Sequence, residues 1–466
     1  MRKIFFILLI LITSNVFGQE IICDKPGIAD AYNLAISTIN INTRRGILAA
    51  GGDYGGEWTR DIAINSWNGV SLLKPTVAEK SLWSVTIHKD TIGHQYWDKI
   101  IWVIAAYNHY KATGNKEFLR QAYHCSANTM NGMERIVFDS KYGLFKGPSV
   151  FNDGIAGYPA QVYDSLNISS SVFDQKNAKN IKCLSTNCLY YGAYNSLIKM
   201  GQILNENRAT IRMYQEKAEN LKANILKYFY SEPESKLYYL IDKDGKIDKS
   251  QEGLGISFAI LFGVLDHDKC DNLIKNVSTS KYGITSIYPD FSMFSPERTG
   301  RHNNIIWPMV NGFFAQASII DGNHTSFVHE LNSLIQLALD SDKGDYNFRE
   351  IYNPYTGIPD GGWQCDRHWE SCKHQTWSAT AYLSMIFYGL AGIRLENDLM
   401  SFSPYLPGDI HYLEINHIKY RQSELKIIIK GNGKKIKSFS LNGKKQSRNV
   451  IDSNIKGFNV ISIELK

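Results

Sequence analysis

The chain has 466 residues, of which 44% are hydrophobic, 12% aromatic and 21% charged, a balance that excludes a disordered, collagen-like or coiled-coil protein. The net charge of +6 is unevenly placed: residues 401–466 hold 12 Lys/Arg against 5 Asp/Glu, Arg2 and Lys3 add two cations, and residues 4–400 hold 37 basic against 40 acidic groups. A body at −3 lacks the basic stripe that nucleic-acid binding needs, so no nucleic-acid partner is expected and the ligand is expected to be uncharged.

Residues 1–19 read as an export signal, with Arg2 and Lys3 before the apolar run Ile4–Ile12 and small residues up to Gly18. No later run reaches the roughly 18–20 apolar residues of a spanning helix, so the sequence predicts a soluble exported protein, periplasmic or extracellular. Cys23 follows Glu20-Ile21-Ile22 rather than the Leu-x-small pattern of a lipidated cysteine, and no lipid anchor is expected.

Apolar spacing then predicts twelve helices, at 27–43, 61–73, 76–87, 95–112, 116–137, 186–206, 209–230, 252–263, 266–277, 303–320, 324–340 and 374–393. Thr76 with Glu79 has the form of a capping box, and Gly114 and Gly263 stand where helices should stop. Short turns alternate with long loops at 45–60, 88–95, 138–185, 231–251, 279–302 and 341–373. That alternation predicts six helical hairpins closed into a mainly α, (α/α)6 barrel over residues 20–400, its long loops gathered at one end. Loops of this length in a compact domain are usually functional. Cys183 with Cys188 and Cys365 with Cys372 could staple short loops as disulfides, with zinc as the competing reading. From residue 401 the pattern changes to alternating runs at 413–420, 425–430, 436–441 and 458–465, with Asn432-Gly433 and Asn442-Gly443 as turns, which predicts a small β-sandwich appendage.

The long loops are rich in carboxylates, amides and tryptophans, and contain no phosphate-cradling glycine loop, no Gly-x-Ser-x-Gly and no HExxH. Neither a cofactor nor a metal is expected. Tryptophan faces stack on sugars while Asp, Asn and Arg bond hydroxyls, so the mixture points to a neutral oligosaccharide, and glycoside cleavage needs two carboxyl groups. Four stretches resemble the six-hairpin glycosidases, closest to the processing α-glucosidase I and trehalase-like group and more distantly glucoamylase and α-L-rhamnosidase. These are Glu57-Trp58-Thr59-Arg60-Asp61, Gly147-Pro148-Ser149 through Asp153-Gly154 to Pro159, His302-Asn303-Asn304 with Trp307-Pro308, and Glu350 through Gly357 followed by Gln375-Thr376-Trp377.

The resemblance implies Asp153 as general acid, Glu350 as general base, inversion at the anomeric carbon, and Arg60 and Asp61 as binders of the sugar being cleaved. Trp58, Trp97, Asp98, His302, Asn303, Trp307, Trp363, Gln375 and Trp377 complete the expected substrate-binding set, with Glu57, Glu252 and Glu370 as reserve carboxylates. The bland alternatives are a turn for Asn152-Asp153-Gly154, a surface glutamate for Glu350, and a helix-start ion pair for Arg60-Asp61. The acid loop lacks the Glu-Ser-Gly-Trp-Asp wording of trehalases, which argues against trehalose. The expected activity is hydrolysis of an α-linked neutral oligosaccharide, a glucoside first. A catalytically inactive sugar-binding protein and a polysaccharide lyase are the alternatives, the latter disfavoured by the −3 body, since lyases act on uronic acids.

Overall fold

A computed structural model describes residues 21–93, 97–164 and 167–466. The expected export signal at residues 1–19 lies outside the described residues.

Twelve helical segments of nine residues or more follow one another among the described residues, at the places the apolar spacing indicates: α1 Ile28–Asn42, α2 59–73, α3 Pro75–Ser84, α4 97–113, α5 Lys116–Val137, α6 Leu184–Leu204, α7 Arg208–Phe229, α8 Gly253–Leu261, α9 His267–Lys275, α10 Pro308–Asp321, α11 His324–Leu339 and α12 376–390. α2, α4, α6, α8, α10 and α12 pack each on the next, and α12 returns to α2, closing an inner ring. The others lie outside it. Outer helices carry one apolar stripe: α7 buries Tyr214, Ala218, Leu221, Ile225 and Phe229, positions on one helix face, each contributing on the order of 1.5–3 kcal/mol for a large side chain. Inner helices are covered all round, as in Thr376–Ser384, where every residue is buried. The inner ring is tight enough that a Cβ on Gly312 of α10 would lie 2.7 Å from Ala381 Cβ of α12.

Five of the inner helices, α2, α4, α6, α8 and α10, pass to their outer partners through short turns, while α12 packs against α1 from the start of the chain. Gly114, at φ 71°, closes α4, and Asn115 caps α5 by accepting from Glu117 N and Phe118 N. The expected capping box at Thr76 is not formed: Pro75 already occupies the first turn of α3, its N-cap Lys74 makes no side-chain cap, and Glu79 instead accepts from Asn115 Nδ2 at 3.3 Å. Because the turns lie at one end, the long loops and the N-termini of all six inner helices lie at the other.

The β part starts at Ile393–Leu395, ahead of the expected residue 401. A six-stranded sheet runs in the order Ile21–Cys23, Tyr412–Tyr420, Gln422–Lys430, Lys456–Leu465, Ile436–Leu441, Lys444–Lys445, beside a three-stranded sheet of Ile393–Leu395, Leu399–Phe402 and Val450–Asp452. Leu425, Ile427 and Ile429 alternate inward. Phe402 and Phe439 meet with ring centroids 5.5 Å apart, one from each sheet. Asn442 and Gly443, both at positive φ, turn the hairpin that pairs Leu441 with Lys444. Barrel and sheets share one continuous hydrophobic core.

The seven cysteines are all free, which overturns the expected disulfides. Cys183 faces a small cluster with Tyr158, Tyr239 and Ile287, whereas Cys188, one turn into α6, faces the main core. Cys365 is exposed in a hairpin turn while Cys372 is buried. Among the described residues no helix is long and apolar enough to cross a membrane, and no group of three His, Cys, Asp or Glu could hold a metal ion.

Candidate active site

At the loop end a cavity of about 330 Å³ opens over the inner-helix N-termini. Four of the long loops, at 45–60, 138–185, 279–302 and 341–373, reach its wall, which contains Asp153 and Glu350 together. Residues nearly two hundred positions apart in sequence are thus brought to one hollow by ring closure.

Arg60 and Asp61 sit in the first turn of α2. Arg60 Nη2 donates to Asp153 Oδ2 at 2.8 Å and Nη1 to Asp98 Oδ2 at 3.2 Å. Partial burial pushes the Asp153 carboxyl up, but the Arg60 guanidinium, with Arg301 behind it, outweighs that and holds it at about 2. The opposite balance applies next door. Burial dominates at Asp61, Arg60 only partly opposes it, and the neighbouring carboxylates add to it, so Asp61 is raised to about 7. Gln375 Nε2 donates to Asp61 Oδ1 at 3.4 Å.

Glu350 has a different cradle. Arg301 Nη2 donates to its Oε1 at 3.0 Å and the Tyr54 hydroxyl to its Oε2 at 3.0 Å, while Arg301 Nη2 also reaches Tyr54 Oη at 3.3 Å. Arg301 is anchored by Nη1 to the Gly361 carbonyl at 3.2 Å and lies over the Trp369 ring at 5.2 Å. The backbone N–H of Glu350 donates to the Cys372 carbonyl. Both carboxylate oxygens are therefore fixed by donors, in a side chain only 4% exposed.

His302, at φ 64°, stacks on Trp307 with centroids 4.4 Å apart. Burial and the Arg301 charge push it down to about 3, so it is a neutral imidazole and its 3.8 Å approach to Asp153 Oδ1 is not an ion pair. Gly154 has no room for a side chain, because a Cβ would collide with Gln364 Oε1 and His302 Nδ1. Glycine at this position lets the 147–159 loop pack against the late loops.

Of the residues singled out from sequence, Trp58, Arg60, Asp61, Asp153, His302, Trp307, Glu350, Gln375 and Trp377 line the cavity. Four do not. Asp98 is buried behind Arg60 as its second carboxylate. Trp97 backs the lining residue Phe173, stacked at 5.1 Å and 6°. Asn303 accepts from the backbone N–H of Phe291 at 3.3 Å and holds a neighbouring loop. Trp363 lies in a hairpin under Arg298 at 4.7 Å. Of the reserve carboxylates, Glu252 is buried against Ser149 and Ser185, away from the cavity. Tyr54, Phe173, Arg301, Gln364 and Trp369 line it without having been singled out. Arg301 adjoins the His302-Asn303 stretch, a signal within reach, whereas Tyr54 lies in a Gly-Asp-Tyr-Gly loop with no chemical pattern.

Two carboxyl groups facing one pocket at the loop end of an (α/α)6 barrel, walled by tryptophans, define a glycoside hydrolase architecture. The family model of the mannosylglycerate hydrolase MGH1-like glycoside hydrolase domain matches residues 76–378, and the chain belongs to that family. Residues 393–445 match the glycosyl hydrolase family 65 C-terminal domain. A search of curated proteins by sequence finds no match. Among solved structures, a protein titled sialidase superposes with TM-score 0.72 at 14% identity, over 92% of this chain and 40% of that one. The GH63 mannosylglycerate hydrolase of Thermus thermophilus, in complex with glucose, gives 0.60 at 12% identity over 76% of this chain and 99% of its own. A GH78 family rhamnosidase of Bacillus sp. GL1 gives 0.61 at 13% identity, over 96% of this chain and 43% of that one. The chain spans about two fifths of the sialidase and of the rhamnosidase. These likenesses show the fold.

Proposed function

We propose that the protein is an exported, inverting hydrolase of short α-linked neutral oligosaccharides, with Asp153 as acid and Glu350 as base. The observation that carries this reading is the presence of both carboxyl groups in one cavity of about 330 Å³, at the small end for ligand pockets and suited to a short substrate. Asp153 protonates the glycosidic oxygen as the C1–O bond breaks. Glu350 takes a proton from water whose oxygen bonds to C1 from the opposite face, releasing the inverted anomer. Inversion requires a carboxyl separation of about 6.5–9.5 Å. Arg301 and Tyr54 aim Glu350 by donating to its two oxygens; Arg60 and Asp61 bind the sugar, and Trp58, Trp307 and Trp377 enclose it. Both guanidiniums of the wall are engaged by carboxylates, which favours an uncharged substrate over one carrying its own acid. Export rests on the leader pattern of residues 1–19.

One observation favours a second assignment of the proton donor. In the free protein Asp153 is held at about 2 while Asp61 is raised to about 7, so Asp61 is the carboxyl that carries a proton near neutrality. Leaving-group dependence separates the two. If Asp153 is the acid, Asp153→Asn lowers kcat on a disaccharide by about 10²–10⁴-fold and much less on a glycosyl fluoride, which needs no protonation, while Asp61→Asn impairs both. The reverse pattern moves the acid to Asp61. The substrate is found by screening α-glucosides, α-mannosides, disaccharides and mannosylglycerate for released sugar, and proton NMR of the fresh product reads the anomer. A retained anomer would remove Glu350 from the role of base.

A further inference from the structure

The opposite mouth of the barrel holds a second cavity, of about 320 Å³, walled by the C-terminal halves of the inner helices and by the 393–395 strand. Three cations line it, Lys111 from α4, Lys199 from α6 and Arg394 from the strand, and its wall contains no Asp or Glu. Helix C-termini favour nearby positive charge, which explains cations at this end but not their convergence on one hollow. Lys111 is partly buried, in the last turn of α4. Burial pushes its ammonium down to about 8, against the pull of Glu396. Its Nζ lies over the Tyr107 ring at 4.9 Å, a weak compensation for the partial loss of water, and a bound anion would add to it. Arg394 donates through Nη1 to the Tyr388 carbonyl at 2.5 Å and the Ile393 carbonyl at 2.9 Å, and a guanidinium has five N–H groups in all.

The rest of the wall is suited to a ring. Trp67 and Phe262 stack at 6.1 Å and 29° and both face the cavity. Gln316 forms part of the floor, its Nε2 shared between Asn68 Oδ1 at 3.0 Å and Ser384 Oγ at 3.1 Å. That pair of bonds lies within the barrel, between this cavity and the one at the loop end. An aromatic edge, amides and several cations together form a chemistry different from that of the carboxylate-rich loop end.

We propose that this mouth binds a small carbohydrate derivative bearing one acidic group, a sugar acid or a sugar phosphate, with the acid among Lys111, Lys199 and Arg394 and the ring against Trp67 and Phe262. The site is separate from the hydrolytic cavity, and its occupancy does not depend on which glycoside is cleaved there.

Titration calorimetry of the full chain with glucuronate, glucose 6-phosphate, inorganic phosphate and glucose tests it. Glucuronate or glucose 6-phosphate is expected to bind saturably and at least about tenfold more tightly than glucose, the worth of one charged hydrogen bond; which of the two binds identifies the acid. Binding is expected to persist in Asp153→Asn and to weaken about tenfold or more in Lys111→Gln/Lys199→Gln. Lys199→Gln alone, at an exposed position, keeps the test available if the double variant does not fold. The proposal is overturned if neither acid binds, if glucose or phosphate alone binds as tightly, if Asp153→Asn abolishes binding, or if the lysine variants bind unchanged.

Discussion

At the scale of single residues, the pocket sets two aspartates far apart by geometry alone. Asp153 reaches Arg60 directly, whereas Asp61 meets the same guanidinium only at 3.9 Å through Nε and is buried among other carboxylates. A similar burial acts outside the site on Glu330, which accepts from Asn311 Nδ2 at 2.6 Å and from Ile284 N at 3.0 Å yet is raised to about 8. The sign follows from linkage: the folded state binds this proton more tightly than the unfolded chain, so the contribution is full below the ordinary glutamate range near 4.5 and is lost as pH rises through about 8. Asp61 and Glu252, each raised to about 7, act in the same direction. Thermal stability of the protein should therefore fall by several degrees from pH 5 to pH 8, and Glu330→Gln should lessen that fall. Melting curves that stay parallel for the two proteins across this range would count against a raised Glu330. Arg301 and Tyr54 mark the limit of residue-level reading. Their partner Glu350 is 49 and 296 positions away, and no local pattern encodes a hydrogen bond over such a span.

Helices and loops were more legible than side-chain roles. The 3.6-residue spacing of apolar positions placed all twelve helical segments because the inner helices are buried all round and rich in apolar residues while the outer ones carry one clear stripe. The capping box at Thr76 misled because Pro75 has its own claim on a first helical turn. The cysteine pairs misled because sequence proximity says nothing of which core a side chain enters, and Cys183 and Cys188 enter different ones. Strand Ile21–Cys23 was invisible, since three residues carry no period, and its partner lies at the far end of the chain. Helix packing gives a direct test of the ring. Gly312 faces the Ala381 backbone, with Cα 3.0 Å from a would-be Cβ, so Gly312→Val must push α10 and α12 apart at a cost of roughly 1–3 kcal/mol or more. Denaturant unfolding should show the midpoint drop; an unchanged midpoint would mean that the inner ring is looser than these contacts imply.

For the whole molecule, barrel and β-sheets behave as one body. Ile21–Cys23 joins the sheet through Tyr412–Tyr420, the Arg421 backbone N–H donates to the Ala112 carbonyl at the end of α4, and Leu413, Ile415 and Ile418 belong to the same core as the helices. A chain ending at residue 400 should consequently be insoluble or partly unfolded, while the full chain melts in a single transition. Circular dichroism of the two proteins decides this, and a truncated barrel with native helicity and a cooperative melt would make the sheets dispensable. The closure of α2 on α12 has a further consequence for how the protein comes into being. The last inner helix completes a hoop that the first one began, so the contact cannot form until nearly the whole barrel is available to fold. Until then five hairpins can form only an open arc, whose two end helices expose the surface that closure buries, the kind of unpaired apolar flank that invites aggregation.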